Sequence, residues 1–307
     1  MRLGTVLEVG FRILMRHWAI LLLLALFFVG PGALLTTATG MRFAEVAFDL
    51  FPGLSDGVID ESTLPSANEL SRLGEPLAGW ALATIVAGIL GSIGALGFSA
   101  VVVADYHARK IELGTALRVC LRRAPTVLGF ILVTTFIVVG MLLGALVLLM
   151  LAALLFPSGS GGAGGPGAFL MLIIMVALAA AVLYVSVRWA PAFPAIVNED
   201  LGWRKALARS WYLSGDSVWR IIAIIAFAGI LTILASTVVA QLLSVLLVGA
   251  VAPAIGLDSL IAEGIGLALA AVLLAPVAPV LTAVLYFDLR ARRDIPVPET
   301  PPTTSYR

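Results

Sequence analysis

Six long apolar stretches, separated by segments that hold most of the charge, set the pattern of this chain. They run approximately over residues 18–38, 77–104, 126–156, 168–187, 218–250 and 261–287. A helix needs roughly 20 apolar residues to cross about 30 Å of hydrocarbon, and each stretch has them. The pattern predicts an all-α integral membrane protein with six transmembrane helices. The third and fifth stretches exceed the minimum, so they tilt or extend past the bilayer. The first, which follows Arg12 and Arg16, also has the shape of a signal-peptide core. Its apolar run continues to Ala38, and the segment before it matches two later ones that precede obvious spans, which favours a span.

Composition agrees with this pattern. Of 307 residues, 61% are hydrophobic and 12% charged, and the mean hydropathy is +1.10. Soluble domains run near 45–50% apolar and about 25% charged, so a typical soluble enzyme, a disordered chain and a disulfide scaffold are excluded. The single cysteine, Cys120, allows no intrachain disulfide. Lysine occurs only at 110 and 205, and this bias, with the richness in Ala, Gly, Val and Leu, suggests a GC-rich bacterial genome.

The net charge of +1 hides a segregation. All but two of the 19 basic residues lie in the N-terminus, the second and fourth loops, and the tail. The exceptions, Arg42 and Arg72, share the first loop with seven carboxylates. Basic loops stay cytoplasmic, so both termini are expected in the cytoplasm of a bacterium, with the protein in its plasma membrane. Residues 1–293 then form one six-span domain with an acidic outer loop over about 39–76, and 294–307 form a disordered Pro/Thr-rich tail.

Each odd-numbered span is preceded by a short arm. In the first (5–16), Thr5 and Glu8 have capping-box spacing, Leu7, Phe11 and Leu14 recur on one face, and Glu8, Arg12 and Arg16 lie on another. In the second (115–123), Leu117 and Leu121 oppose Arg118 and Arg122. The third follows Asp200, an expected N-cap, and aligns Trp203, Leu207, Ser210 and Trp211 beside Arg204 and Arg209; Gly215 ends it, and Asp216 or Ser217 caps the next span. Ala116-Leu117 aligns with Ala206-Leu207, and the exit at Asp105 echoes that at Asp288. The chain therefore reads as three arm-plus-hairpin repeats of one orientation. The arms suit anchoring on anionic lipid headgroups at the cytoplasmic face or docking of a protein partner in the membrane.

Residues that could carry chemistry are few. His17 and His107 sit among basic residues, away from any metal-ligand spacing with Cys120, and no nucleophile elbow, phosphate loop or zinc-protease motif occurs. The tract at 158–167 reads as a glycine-rich hairpin linker, and Ser66 with Glu69 as a capping box within a small solvated cap. Small residues line the second span at Ala87, Gly91, Ala95 and Ser99 and again at Gly88, Gly91, Gly94 and Gly97, with Gly140 and Gly144 in the third, as close helix packing requires. In the fifth span Thr237, Gln241 and Ser244 share a face. An unpartnered amide in hydrocarbon is costly, so this face is expected to point inward, towards an interhelical hydrogen bond or a polar cavity. At the exits of spans two, four and six stand Asp105, Arg188 and Asp288. They are read either as an ionic clamp centred on Arg188 or as separate snorkelling anchors.

From Arg188 the chain reads Arg-Trp-Ala-Pro-Ala-Phe-Pro-Ala-Ile-Val-Asn-Glu-Asp. Ala-Leu-Ala-Arg-Ser-Trp-Tyr-Leu follows from Ala206, Trp-Arg-Ile-Ile from Trp219, and Tyr-Phe-Asp-Leu-Arg-Ala-Arg-Arg from Tyr286. These stretches resemble the bacterial glycerophosphoryl diester phosphodiesterase membrane-domain family and related six-span actinobacterial families. The resemblance implies a fold and a membrane address. In such phosphodiesterases a separate soluble barrel carries the metal-binding acids and histidines. No such barrel is expected here, so hydrolysis is not implied and no catalytic residues carry over. The expectation is a non-enzymatic scaffold or accessory factor in membrane, envelope or lipid processes, without cofactor, metal or nucleic acid. The alternative is a transporter or permease for a lipid-like or small molecule.

Overall fold

The computed structural model describes residues 3–51, 66, 69, 71–155, 166–215, 217–256 and 258–294. Among these, every regular element is helical. The first arm is α1 (Leu3–Arg16), and α2 (Trp18–Leu50) follows after a kink at His17. A 3-10 turn (Ser71–Leu73) leads into α3 (Gly74–Tyr106), followed by α4 (Leu113–Leu155) and α5 (Pro166–Trp189). The short α6 (Ala192–Asn198) and α7 (Trp203–Ser214) precede α8 (Val218–Leu246). A π-helical turn (Leu247–Val251) and α9 (Ala252–Ile255) lead to α10 (Ser259–Leu274) and α11 (Val277–Arg293). Six helical runs are long and apolar enough to cross a membrane: Trp18–Leu50, Ser71–Tyr106, Leu113–Ala145, Phe169–Asn198, Val218–Ala254 and Ser259–Arg293. The chain is thus all-helical where described and built as a multi-pass membrane protein.

The inner bundle consists of α2, α3 and the α10–α11 span, and its contacts fall at small residues. A Cβ on Gly32 would stand 2.8 Å from the Ala87 backbone. One on Gly94 would press on Phe28, and one on Gly97 would meet the Cys120 sulphur at 2.9 Å. In α10, Gly264 receives Met41 and Thr37 of α2, while Gly266 receives Ser244 of α8. Helices surrounded by lipid gain no hydrophobic free energy by touching, so close backbone approach supplies the dispersion contacts. Only part of the second span's small-residue stripes serves this purpose, since Gly88 and Gly91 face open space, and in the third span Gly140 and Gly144 both do.

Burial is uneven among the spans. In the second and sixth, 44% of the most apolar window is buried within the protein, against 11% in the third and 6% in the fourth. The α4–α5 hairpin therefore stands largely outside the bundle. Its anchorage lies at the arginine-rich end, the end marked by Arg16, Tyr106, Trp189 and Arg293; the opposite end, near Leu50, Ser71 and Ser259, is called the loop end.

Several boundaries differ from the sequence reading. The first span does not stop at 38. Pro31 deletes one hydrogen bond, yet α2 continues to Leu50, with the Thr36 and Thr39 hydroxyls bonding carbonyls one turn back. Residues 39–50 of the expected acidic loop are therefore helix, and the chain is helical again from Ser71. Between these points the capping box is present: the Ser66 amide and hydroxyl both lie 2.8 Å from one Glu69 oxygen. Asp56, Asp60 and Glu61, the glycine tract at 158–165, Asp216 and the tail from 295 fall outside the described residues. The sixth span is broken at Ala275–Pro276, where prolines at 276 and 279 remove two of the amide donors that a continuous helix would use.

The three arms take three forms. The first meets its span at a kink, the second runs into α4 without a break despite Pro125, and the third is a separate helix. The helix α1 starts by Leu3, so Thr5 lies inside it rather than at its cap. Gly202 occupies the N-cap of α7 in place of Asp200. The faces also differ from expectation. The buried positions are Val6, Gly10 and Ile13 in α1, Ala116 and Cys120 in the arm part of α4, and Ala206, Ser210, Leu213 and Ser214 in α7. The larger Phe11, Leu121 and Trp211 are 53%, 65% and 44% exposed. The bundle-facing positions carry small or aliphatic side chains, and the aromatic Phe11 and Trp211 are left facing outwards.

Candidate ionic latch at the arginine-rich end

Most described charged and polar side chains with long-range partners converge at this one end. The anchor is Asp288 in the last turns of α11, only 3% exposed. It accepts from Arg220 of α8 at 3.0 Å and from Arg292, one turn further on, at 3.2 Å. A carboxylate so withdrawn from solvent is tolerable only when paired, and two guanidiniums pair it.

Beside it lies a second knot. The Tyr286 hydroxyl donates to Glu199 at 2.6 Å and accepts from the Asn198 side-chain amide at 3.2 Å. Arg209 of α7 donates its Nε to both Glu199 oxygens at 3.0 and 3.1 Å and an Nη to Asp294 at 2.6 Å. That hydrogen bond holds the Asp294 carboxyl below the usual carboxylate range, with burial opposing it more weakly. His107 Nε2 lies 3.1 Å from the Asn198 side-chain Oδ1. Thus α6, α7, α8 and the end of α11 are tied together, and α3 joins through Tyr106, which stacks on Phe287 at 3.9 Å.

The expected clamp takes different partners. Arg188 reaches neither Asp105 nor Asp288 as its ion-pair partner. Its Nε and Nη2 donate to the Tyr184 hydroxyl at 3.2 and 2.7 Å, its Nη1 donates to the Trp211 carbonyl at 3.2 Å, and the group lies 4.6 Å from the Trp211 ring centre. Its own carbonyl accepts from Ser210 at 2.6 Å. The physical reason is local: Tyr184 lies one helical turn back on α5, and α7 packs across it, so an aromatic cage is nearer than either carboxylate. Asp105 instead accepts from Arg16 at 3.0 Å and faces His17 Nε2 at 2.9 Å, holding the α1–α2 kink.

The remaining arm residues divide between pairs and exposure. Arg12 bonds Glu8 at 2.7 Å along α1. Arg122 lies 3.7 Å from Asp200, which also pairs with Arg123 and adopts a left-handed backbone (φ 56°). Asp200 is therefore a tie between α4 and the approach to α7 rather than a helix cap. Arg118 is exposed. The Arg204 group lies 4.9 Å from the Trp203 ring centre, and Trp203 packs so closely on Gly129 that a Cβ there would come within 2.7 Å of the indole.

The polar face of the fifth span does not point inward. Thr237 and Gln241 are exposed on the outside of the bundle, and the Thr237 hydroxyl bonds the carbonyl of Ile233 in its own helix. Only Ser244 faces a neighbour, against Gly266. A threonine hydroxyl can satisfy itself on the preceding turn, as Thr237 does, so it does not need a neighbouring helix.

Sequence reasoning missed Arg220, Glu199, Tyr286, His17 and Arg123 as partners. Three of these, Glu199, Arg220 and Tyr286, stand inside the segments that carried the family resemblance, which was the available signal. The family described as the membrane domain of glycerophosphoryl diester phosphodiesterase matches residues 168–291. No curated protein and no solved structure matches the chain. The matched region runs from α5 through most of the latch to the last turn of α11, and over that region the chain is similar to that membrane domain.

Proposed function

We propose that this chain is a non-enzymatic scaffold or accessory protein of the bacterial plasma membrane, serving membrane, envelope or lipid processes, with its arginine-rich end in the cytoplasm. The observation that carries this reading is the α4–α5 hairpin. Fixed at one end, it leaves Phe136 81% and Leu172 59% exposed, and 6% of the fourth span's apolar window is buried. A partner's transmembrane helices would find a preformed apolar surface there, held in place by the latch. The arms support the address: Phe11, Leu121 and Trp211 project away from the bundle beside arginines, the arrangement that suits a headgroup boundary.

The test is extraction of the tagged full chain from native membrane in polymer-bounded discs, followed by mass spectrometry. Wild type should recover one protein at fixed stoichiometry. The double variant Phe136→Ala, Leu172→Ala, altered only at exposed positions, should recover roughly tenfold less, as for loss of interface anchors. Equal recovery with both, or lipid alone with both, would refute the scaffold reading.

One observation favours transport as a second reading. The sixth span is broken near its midpoint, beside a recess of about 400 Å³ lined by Trp18, Leu21, Thr232, Leu273 and Pro276. Interrupted helices with freed carbonyls recur at transporter binding sites. Here the lining is almost wholly apolar, so a lipid-like cargo fits better than an ion.

A further inference from the structure

At the loop end, α2 and the start of α10 enclose a recess of about 530 Å³. Its charged residues, Arg42, Glu45 and Asp258, lie at the loop-end rim. Its apolar wall is formed by Leu34, Ala38, Met41, Ile261 and Ile265. The two helices run antiparallel. Leu34 therefore lies roughly 16 Å below Glu45, and Ile265 roughly 10 Å below Asp258, at 1.5 Å per residue. Gly264 makes the close contact at the back of the recess, with Met41 and Thr37 against it. As α2 has 33 residues, about 50 Å of helix, it exceeds the hydrocarbon core, and its last turns stand at headgroup depth.

We propose that this recess binds one phospholipid of the loop-end leaflet whose headgroup carries both a phosphate and a primary ammonium. Charge and depth select this occupant. One guanidinium and two carboxylates give the rim a net negative charge, which disfavours a purely anionic headgroup. A zwitterion matches both signs: its phosphate meets Arg42 and its ammonium meets Glu45 and Asp258. Arg42 also lies 3.5 Å from Glu75 at the start of α3, and its strongly exposed side chain lines the recess. Asp258 uses Oδ1 to cap the Leu260 amide at 2.8 Å, leaving Oδ2 for a ligand. The apolar wall, continuing below the rim, takes the start of an acyl chain, which a free headgroup lacks.

Native mass spectrometry of the full chain in detergent tests the proposal. The probes are phosphatidylethanolamine, phosphatidylglycerol and soluble glycerophosphoethanolamine. One phosphatidylethanolamine should be retained, roughly tenfold more tightly than phosphatidylglycerol, the difference expected of one charge-assisted hydrogen bond. Ala38→Trp, which fills the recess from an exposed position, should abolish retention. Glu45→Gln with Asp258→Asn, which keeps a helix-capping side chain, should erase the preference without abolishing binding, and Arg42→Gln should weaken both lipids. Equal retention of the two lipids by wild type, retention unaffected by Ala38→Trp, or glycerophosphoethanolamine bound as tightly as the lipid would each overturn it.

Discussion

Asp288 and Arg12 show how differently two charges of the same chain are valued. Asp288 is buried between two guanidiniums, whereas the Arg12–Glu8 pair is more than 60% exposed on both sides. Breaking a buried pair leaves an uncompensated charge and costs about 3–5 kcal/mol. An exposed helical pair contributes about 0.3–0.5 kcal/mol. Asp288→Ala should therefore destabilise the protein by about 3 kcal/mol, near the lower bound because Arg220 and Arg292 keep some solvent. Arg12→Ala should change stability by less than about 0.5 kcal/mol; chemical unfolding in detergent measures both. Asp294 makes the pH prediction. Its folded pKa is depressed, so its bond to Arg209 contributes stability above the unfolded carboxylate value of about 3.9 and loses it as pH falls through the lower folded value. Amide protection in the last turn of α11, taken relative to the intrinsic exchange rate at each pH, should be unchanged from neutral pH down to about 5 and fall only below the ordinary carboxylate range. Asp294→Asn should remove that acid dependence.

Among the elements, packing is decided by where a side chain is missing. Gly97→Ala would drive a methyl into the Cys120 sulphur and Leu24, and overpacking of this kind costs about 1–3 kcal/mol. In Gly88→Ala the added Cβ meets nothing within contact distance and should not destabilise, so paired thermal melts separate the glycines that hold helices together from those that do not. At this scale the sequence was legible in part. Length and hydropathy placed all six spans, because a bilayer imposes both. The buried faces of the arms were not legible, since apolarity alone does not distinguish a face turned to lipid from one turned to protein; Phe11 and Val6 look equally suited to a core. The extension of α2 through Pro31 was hidden because one lost hydrogen bond is small against the helix on either side. The partner of Arg188 was hidden because Tyr184 and Trp211 are competing partners that a search for opposite charge passes over.

For the molecule as a whole, the structure separates a knotted end from an open one. Ion pairs join the end of α6, α7, α8 and α11 at the arginine-rich end, while the hairpin of α4 and α5 extends from it with little support. The proposed role rests on that asymmetry, since a rigid base with an uncovered apolar hairpin is suited to receiving other helices. Site-specific photo-crosslinking in native membrane tests it most directly, with probes at Phe136, Leu143 and Leu172 on the hairpin and at Leu82 and Ile85 on α3, all strongly exposed. The account predicts one discrete protein adduct from the hairpin positions and only lipid adducts from α3. The same lipid adducts at all five positions would contradict it.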